Sequence, residues 1–226
     1  MDAIRKIHND AKRQLIQNTC KPNSCVLDVG SGHGGDLPKW GTVSVRSLTL
    51  CEPSIYALNE SKKRARNLNI PPGVLRFIHG DIFNSPRMKY DIICYNFSIQ
   101  YIFQHWQLFT KTINAIVDRS KPGTQLIGCI PDSEKILTAT PYNDILGNTI
   151  TRDEETTGMG GFGEQLFVYL ADTLYYAKGP ISEPIAYKDL LITHLENRGF
   201  TLTSWYDLND SNSLSKLYSS FIFVYN

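Results

Sequence analysis

The chain is poor in several features that would each decide its class. No run of about 18 apolar residues occurs in its 226 positions, so no segment is built to cross a bilayer as a helix. The opening stretch MDAIRKIHNDAKRQLI lacks the apolar centre of a secretion signal and reads as an amphipathic helix. There is no Cys-x-x-Cys pair. The five cysteines (Cys20, Cys25, Cys51, Cys94, Cys129) are odd in number, and several sit in apolar strand-like runs, where cysteine acts as a small buried hydrophobe. His79, His105 and His194 have no ligand-like spacing, so neither structural zinc nor another metal site is expected. A reducing, intracellular setting without a membrane partner follows as the expectation. Charge of one sign is also missing: 23 Lys and Arg against 22 Asp and Glu leave +1, so any attraction for nucleic acid must be local. Two basic clusters exist, Arg5, Lys6, Lys12, Arg13 and Lys62, Lys63, Arg64, Arg66. For each, a solvated helix face competes with a phosphate-tracking one. No repeat, low-complexity tract or linker interrupts the chain, and a single domain over 1–226 is expected.

What is present is alternation. A first helix is expected over 3–17, with Ile4, Ile7, Ala11 and Leu15 on one face. Apolar strands are expected at 25–29, 44–52, 73–81, 90–98 and 124–131, with helices at 54–68 (Ser54 as N-cap) and 104–120 between them. Strands and helices alternating at this spacing argue for a parallel, doubly wound α/β sheet. Past residue 131 the character changes. Residues 147–172 are β-rich around the glycine-rich turn GMGGFG (158–163), which reads equally as a hairpin turn or a lid. A helix over 185–199 and two strands at 200–208 and 219–226 complete the chain.

The densest signal is VLDVGSGHGGDLPKW, residues 26–40. A strand, a glycine-rich turn and a helix make a nucleotide cradle, because glycine lets backbone and ligand approach closely. Gly30, Gly32 and Gly35 satisfy the dinucleotide pattern G-x-G-x-x-G, and Asp28, Gly30, Gly32 and Gly34 satisfy D-x-G-x-G-x-G. Three acids decide between them. Asp28 stands at a strand end, where a carboxylate can take an ammonium group. Glu52 ends the second strand, where it can accept two ribose hydroxyls. Asp81 follows the third, where it can accept from the exocyclic amine of adenine. An adenosyl ligand without pyrophosphate uses all three, whereas a dinucleotide would set Asp28 against phosphate. S-adenosylmethionine is the cofactor expected, although each acid taken singly could be a helix cap.

These residues resemble a known family, the eukaryotic and viral mRNA cap guanine-N(7) methyltransferases, whose corresponding stretch reads VLDLGCGKGGDLLKW. The tail Gly34 to Trp40 is far more specific than the glycines. YDIICYNFSIQYIF (90–103), CIPDSEKI (129–136), IRKIHNDAKRQLI (4–16) and, less closely, GPISEPIAYKDLLITHLENRGF (179–200) are similar to further stretches in family order. The resemblance implies a class I S-adenosylmethionine-dependent, Rossmann-like fold: a seven-stranded, mostly parallel sheet with helices on both faces and a small β-rich insertion. It implies a cofactor half over 25–131 and a cap-binding part over 132–226. On the cofactor it places Lys12 (methionine carboxylate), Asp28, Gly30, Gly32, Glu52, Asp81 and Asn96. On the capped 5′ end of RNA it places His33, Asp36, Gln100, Tyr101, Glu183 and an aromatic residue of the last strands, Phe221 or Tyr218. Glu183 is the match to a glutamate that reads the base edge of guanine, and Tyr101 to a tyrosine lining its pocket.

The chain departs from the family at three of these positions. His33 replaces a lysine that helps with the cap phosphates, Gln100 replaces a histidine, and Asn96 replaces a glutamine. The departures imply a divergent, viral member, placed in the host cytoplasm or virion (a cellular enzyme would be nuclear), within a larger polypeptide or complex that holds guanylyltransferase and triphosphatase domains. Two other readings compete: a small-molecule or tRNA methyltransferase, separable by substrate comparison, and an inactive methyltransferase-like partner, separable by cofactor titration.

Overall fold

Each of the five apolar runs expected in the first 131 residues forms a strand, and a helix packs back over the sheet between most of them. The computed structural model describes residues 3–68, 70–71, 73–156, 158–171, 176–208 and 214–226. The chain runs α1 (Ala3–Thr19), β1 (Cys25–Val29), α2 (Leu37–Trp40), β2 (Ser47–Glu52), α3 (Ile55–Ala65), β3 (Leu75–His79), β4 (Ile92–Asn96), α4 (Trp106–Arg119) and β5 (Gln125–Pro131). It continues through α5 (Ser133–Ala139), β6 (Tyr142–Asn143), β7 (Thr149–Arg152), β8 (Gln165–Tyr169), β9 (Ile181–Pro184), α6 (Lys188–Glu196), β10 (Phe200–Asp207) and β11 (Tyr218–Tyr225). Expected boundaries hold within a few residues. The helix α5, capped by Asp132, and the short strands β6 and β9 were not anticipated.

The main sheet has the order β10-β11-β5-β4-β1-β2-β3. β1 pairs in parallel with both β2 and β4, β2 with β3, and β4 with β5, while β11 runs antiparallel to its two neighbours. Every residue of β1 is buried, as a central strand covered on both faces requires. One face packs under α4 and α6 around Leu27, Tyr95, Phe109, Leu191, Phe221 and Phe223. The other packs under α1 and α2 around Leu15, Val26, Trp40, Leu50 and Cys94. All five cysteines are buried and free. Residues 142–184 supply a second, antiparallel sheet, β6-β7-β8-β9, with its own core of Ile150, Leu166 and Val168. No helix among the described residues is long and apolar enough to cross a membrane.

The strand order reverses between β1 and β4. In open α/β sheets such a switch point leaves a crevice at the carboxyl ends of the strands. The carboxyl ends of β1 to β4 carry Asp28, Glu52, Asp81 and Asn96, and the second sheet stands beside them.

Candidate active site

The glycine loop leaves β1 through a turn that only glycine tolerates. Gly30 has φ +75°, and a Cβ there would stand 2.4 Å from Ser98 Cβ. Gly32 also has positive φ (+55°), but nothing lies within 4 Å of where its Cβ would be, so its backbone faces open space. Glu52 braces this loop: its Oε2 accepts from the Gly32 amide (2.8 Å) and its Oε1 from the Ser54 amide (2.8 Å). Each carboxylate oxygen has a second lone pair, which leaves acceptor capacity toward ribose hydroxyls. Asp81 Oδ1 caps a short 3-10 turn, Ile82–Asn84, by accepting from the Phe83 amide (2.9 Å). Asn84 completes a capping box, its side-chain oxygen accepting from the Asp81 amide (3.2 Å).

Beneath the loop lies a buried charge network. Asp36 Oδ1 accepts from Lys12 Nζ and Lys39 Nζ, both at 2.8 Å, and its Oδ2 accepts from Asn96 Nδ2 at 3.0 Å. Burial alone would raise the Asp36 pKa, but the two lysines outweigh it and hold the value at about 2. Asp28 is the opposite case. Its Oδ2 accepts from Trp40 Nε1 at 2.9 Å, and no cation among the described residues bonds it directly. Burial first, and the neighbouring charge of Asp36 second, push its pKa up to about 7. A carboxyl so placed gains a partner when an ammonium group arrives. Lys12 also stands over the ring of Phe97, 5.7 Å from the centroid.

Past β4 the chain forms the 3-10 segment Ile99–Gln104, which carries Gln100 and Tyr101 against β9. Glu183 of β9 is only 7% exposed. Its Oε2 accepts from Gln100 Nε2 (3.1 Å), its Oε1 from the Tyr176 hydroxyl (3.1 Å), and the Tyr101 hydroxyl also hydrogen-bonds it. No cation pairs with it among the described residues. Burial raises its pKa, against the pull of those neutral donors. Tyr218 lies near this carboxylate, and the His8 ring stands 4.9 Å from the rings of both Tyr218 and Phe97. Phe97 adopts φ +57°, rare for an aromatic residue and a mark of strain held by its surroundings. Among the described residues, Ser31 Oγ, Asn96 Oδ1, Gln100 Oε1 and His8 Nε2 are buried without a hydrogen-bond partner.

The profile of the mRNA (guanine-N(7))-methyltransferase domain matches residues 2–173, three quarters of the chain. The chain belongs to this methyltransferase family. Among its relatives, the mRNA cap guanine-N(7) methyltransferase of Saccharomyces cerevisiae is 28% identical over 144 residues, 59% of this chain and 33% of that protein. The mRNA cap guanine-N(7) methyltransferase 1 of Oryza sativa is 27% identical over 205 residues, 82% of this chain and 50% of that protein. The chain thus spans about a third to a half of the length of these two relatives. In fold it is similar to an S-adenosylmethionine-dependent methyltransferase from Clostridium acetobutylicum, with a TM-score of 0.68 at 14% identity, covering 98% of this chain and 92% of that one. The glycopeptide N-methyltransferase MtfA complexed with S-adenosyl-L-methionine gives 0.64 at 14% identity, covering 97% and 94%. The fold is therefore the class I S-adenosylmethionine-dependent methyltransferase fold.

Within this methyltransferase, Asp28, Gly30, Gly32, Glu52, Asp81 and Asn96, expected at the cofactor, lie at or just past the carboxyl ends of β1 to β4, and Lys12 of α1 reaches the same loop through Asp36. Gln100, Tyr101 and Glu183, expected at the cap, form one hydrogen-bonded cluster. Two residues expected at the cap lie inside the protein. Asp36 is buried, with Lys12 and Lys39 on one oxygen and Asn96 on the other. Phe221 is fully buried and stacks on Trp205, centroids 5.9 Å apart. Side chains alternate along a strand, so Phe221 and Phe223 enter the core under α4 and α6 while Tyr218, also buried, packs on the opposite face against Phe97 and His8. GMGGFG closes as a tight hairpin, Met159 and Phe162 bonding each other's backbone, with Phe162 anchored on Phe103 and Phe109. Sequence reasoning missed Lys39, Tyr176, Phe97 and His8. Lys39, Phe97 and His8 lie within quoted motifs, whereas nothing in the sequence distinguished Tyr176.

Proposed function

We propose that this chain transfers the methyl group of S-adenosylmethionine to nitrogen 7 of the terminal guanine of capped RNA. The observation that carries this reading is Glu183, a carboxylate buried without a cation and bound only by neutral donors. Such a group is costly unless a ligand brings N–H donors or positive charge to it. Guanine brings both: its Watson–Crick edge presents N–H donors, and methylation makes the ring cationic.

The residues at the strand ends fit the cofactor. Asp28 receives the ammonium of the methionine part, Lys12 its carboxylate, Glu52 the ribose hydroxyls and Asp81 the adenine amine. Bound there, S-adenosylmethionine supplies a methyl group on a positively charged sulfur. The guanine nitrogen carries a lone pair and no proton, so no acid or base is assigned. The protein's share is position: Tyr101 and Glu183 fix the base, the strand-end acids fix the donor, and alignment of this kind is worth several kcal/mol. Glu183 adds charge stabilisation as the ring becomes cationic. His33, exposed on the glycine loop, is read as lying toward the cap phosphates. The departures at His33, Asn96 and Gln100 support a divergent, viral member working in the cytoplasm. In that setting guanylyltransferase and triphosphatase domains stand beside it in one polypeptide or complex.

Glu183→Ala tests the assignment. Losing charged hydrogen bonds worth roughly 1.5–3 kcal/mol should lower kcat/KM on capped RNA about 10- to 100-fold. Calorimetric affinity for S-adenosylmethionine should stay within about twofold. A variant that loses cofactor binding would overturn the role given to Glu183.

A further inference from the structure

The glycine loop meets α3, and apart from His33, read above as lying toward the cap phosphates, the side chains they present there have no part in the site described above. His33 is exposed, and its ring stands edge-on to Tyr56, centroids 5.7 Å apart at an interplanar angle of 80°. Tyr56 is 68% exposed and its neighbour Ile55 is 50% exposed, so the first turn of α3 offers aromatic and apolar surface to solvent. The platform is fixed relative to the cofactor cradle. A Cβ at Gly34 would stand 2.6 Å from Ser61 Oγ, so the loop lies hard against α3. Glu52 ties the two together by accepting from Gly32 and from Ser54, the N-cap of α3.

Beyond Tyr56 the helix turns basic, with Lys62, Lys63 and Arg64 in its last turn and Arg66 after it. Lys63 lies two turns from Tyr56 on the same face and pairs with Glu60 at 2.6 Å. Cations alone would read as a solvated helix surface. An exposed ring set against a nucleotide-binding loop, with cations alongside, has the character of single-strand nucleic-acid sites, where rings stack on bases and cations take phosphates. His33 adds to that character: where the resembling family has a lysine for the cap phosphates, this chain has a ring leaning on another ring.

The geometry points to Tyr56 and His33 as the subsite for the first transcribed nucleotide of the RNA, its base stacked on Tyr56 and its phosphate directed toward Lys63 and Arg64. This rests on the reading of the chain as a cap methyltransferase.

The test is steady-state methyl transfer by the full chain to a short capped RNA. GTP serves as a competitor that carries the guanine and triphosphate but no second nucleoside. Tyr56→Ala should raise KM for the capped RNA at least about fivefold, with kcat, the inhibition constant of GTP and the cofactor Kd all within about twofold of wild type. Tyr56→Phe and Tyr56→Trp should keep the wild-type KM, because the ring and not the hydroxyl does the stacking. An unchanged KM in Tyr56→Ala would overturn the subsite. So would an equal weakening of GTP, which would put the ring on the guanine itself. If wild type transfers no methyl group to capped RNA, it is the underlying activity that fails, whatever Tyr56 does.

Discussion

Trp40 and Asp28 illustrate how much of the candidate site is decided by single atoms. The indole N–H is the direct hydrogen bond to a carboxyl whose pKa burial lifts to about 7. Trp40→Phe keeps most of the ring volume and removes that donor. The expected cost is about 1–3 kcal/mol in chemical denaturation, together with weaker cofactor affinity at pH 7. Phe221 separates core from site in the same way. Phe221→Leu should lose roughly 1–3 kcal/mol of stability and leave KM for capped RNA unchanged, whereas Tyr218→Ala should raise that KM. A shift of KM in Phe221→Leu would return Phe221 to the cap pocket. These distinctions were only partly legible in the sequence. Asp28, Glu52 and Asp81 could be read as a set because each follows a strand, but the fate of Asp36 depended on which way a tail residue turned. It turned inward, onto two lysines.

At the scale of elements, α1 and the glycine loop behave as one unit. Lys12 reaches from α1 to Asp36, Lys39 reaches to the same oxygen from α2, and Asn96 holds the other oxygen from the end of β4. Removing one member of a buried ion pair strands a charge, at about 3–5 kcal/mol. Lys39→Met should approach the lower end of that range, since Lys12 remains, and differential scanning calorimetry would read it as a lower Tm. A variant as stable as wild type would mean that Lys12 alone neutralises Asp36. The alternating strands and helices of the first 131 residues were legible because apolar periodicity marks long regular elements. The second sheet was legible only as β-rich character. Its strands β6 and β9 have two and four residues, too short for any period to declare itself, and α5 spans seven. Glu183 sits on one of those short strands, so the family resemblance and not local pattern singled it out.

In the molecule as a whole, the cofactor crevice and the Glu183 cluster each hold a buried carboxyl whose pKa burial raises. Asp28 is largely protonated below about pH 7 in the free protein, because burial favours its neutral form. An arriving ammonium group favours the ionised form, so cofactor binding should release a proton below that pH, and affinity should climb as pH rises toward 7. Calorimetry in buffers of different ionisation enthalpy measures that release directly. No proton released at pH 6 would mean that Asp28 is already ionised. Net charge of +1 makes long-range steering of RNA weak, which leaves recognition to the local surfaces named above. The most direct test of the central claim is methyl transfer from labelled S-adenosylmethionine to GpppRNA, run beside uncapped triphosphate RNA. The account predicts label on GpppRNA alone, at nitrogen 7 of the terminal guanine. Label at another atom, equal label on uncapped RNA, or no transfer by protein that binds the cofactor would contradict it.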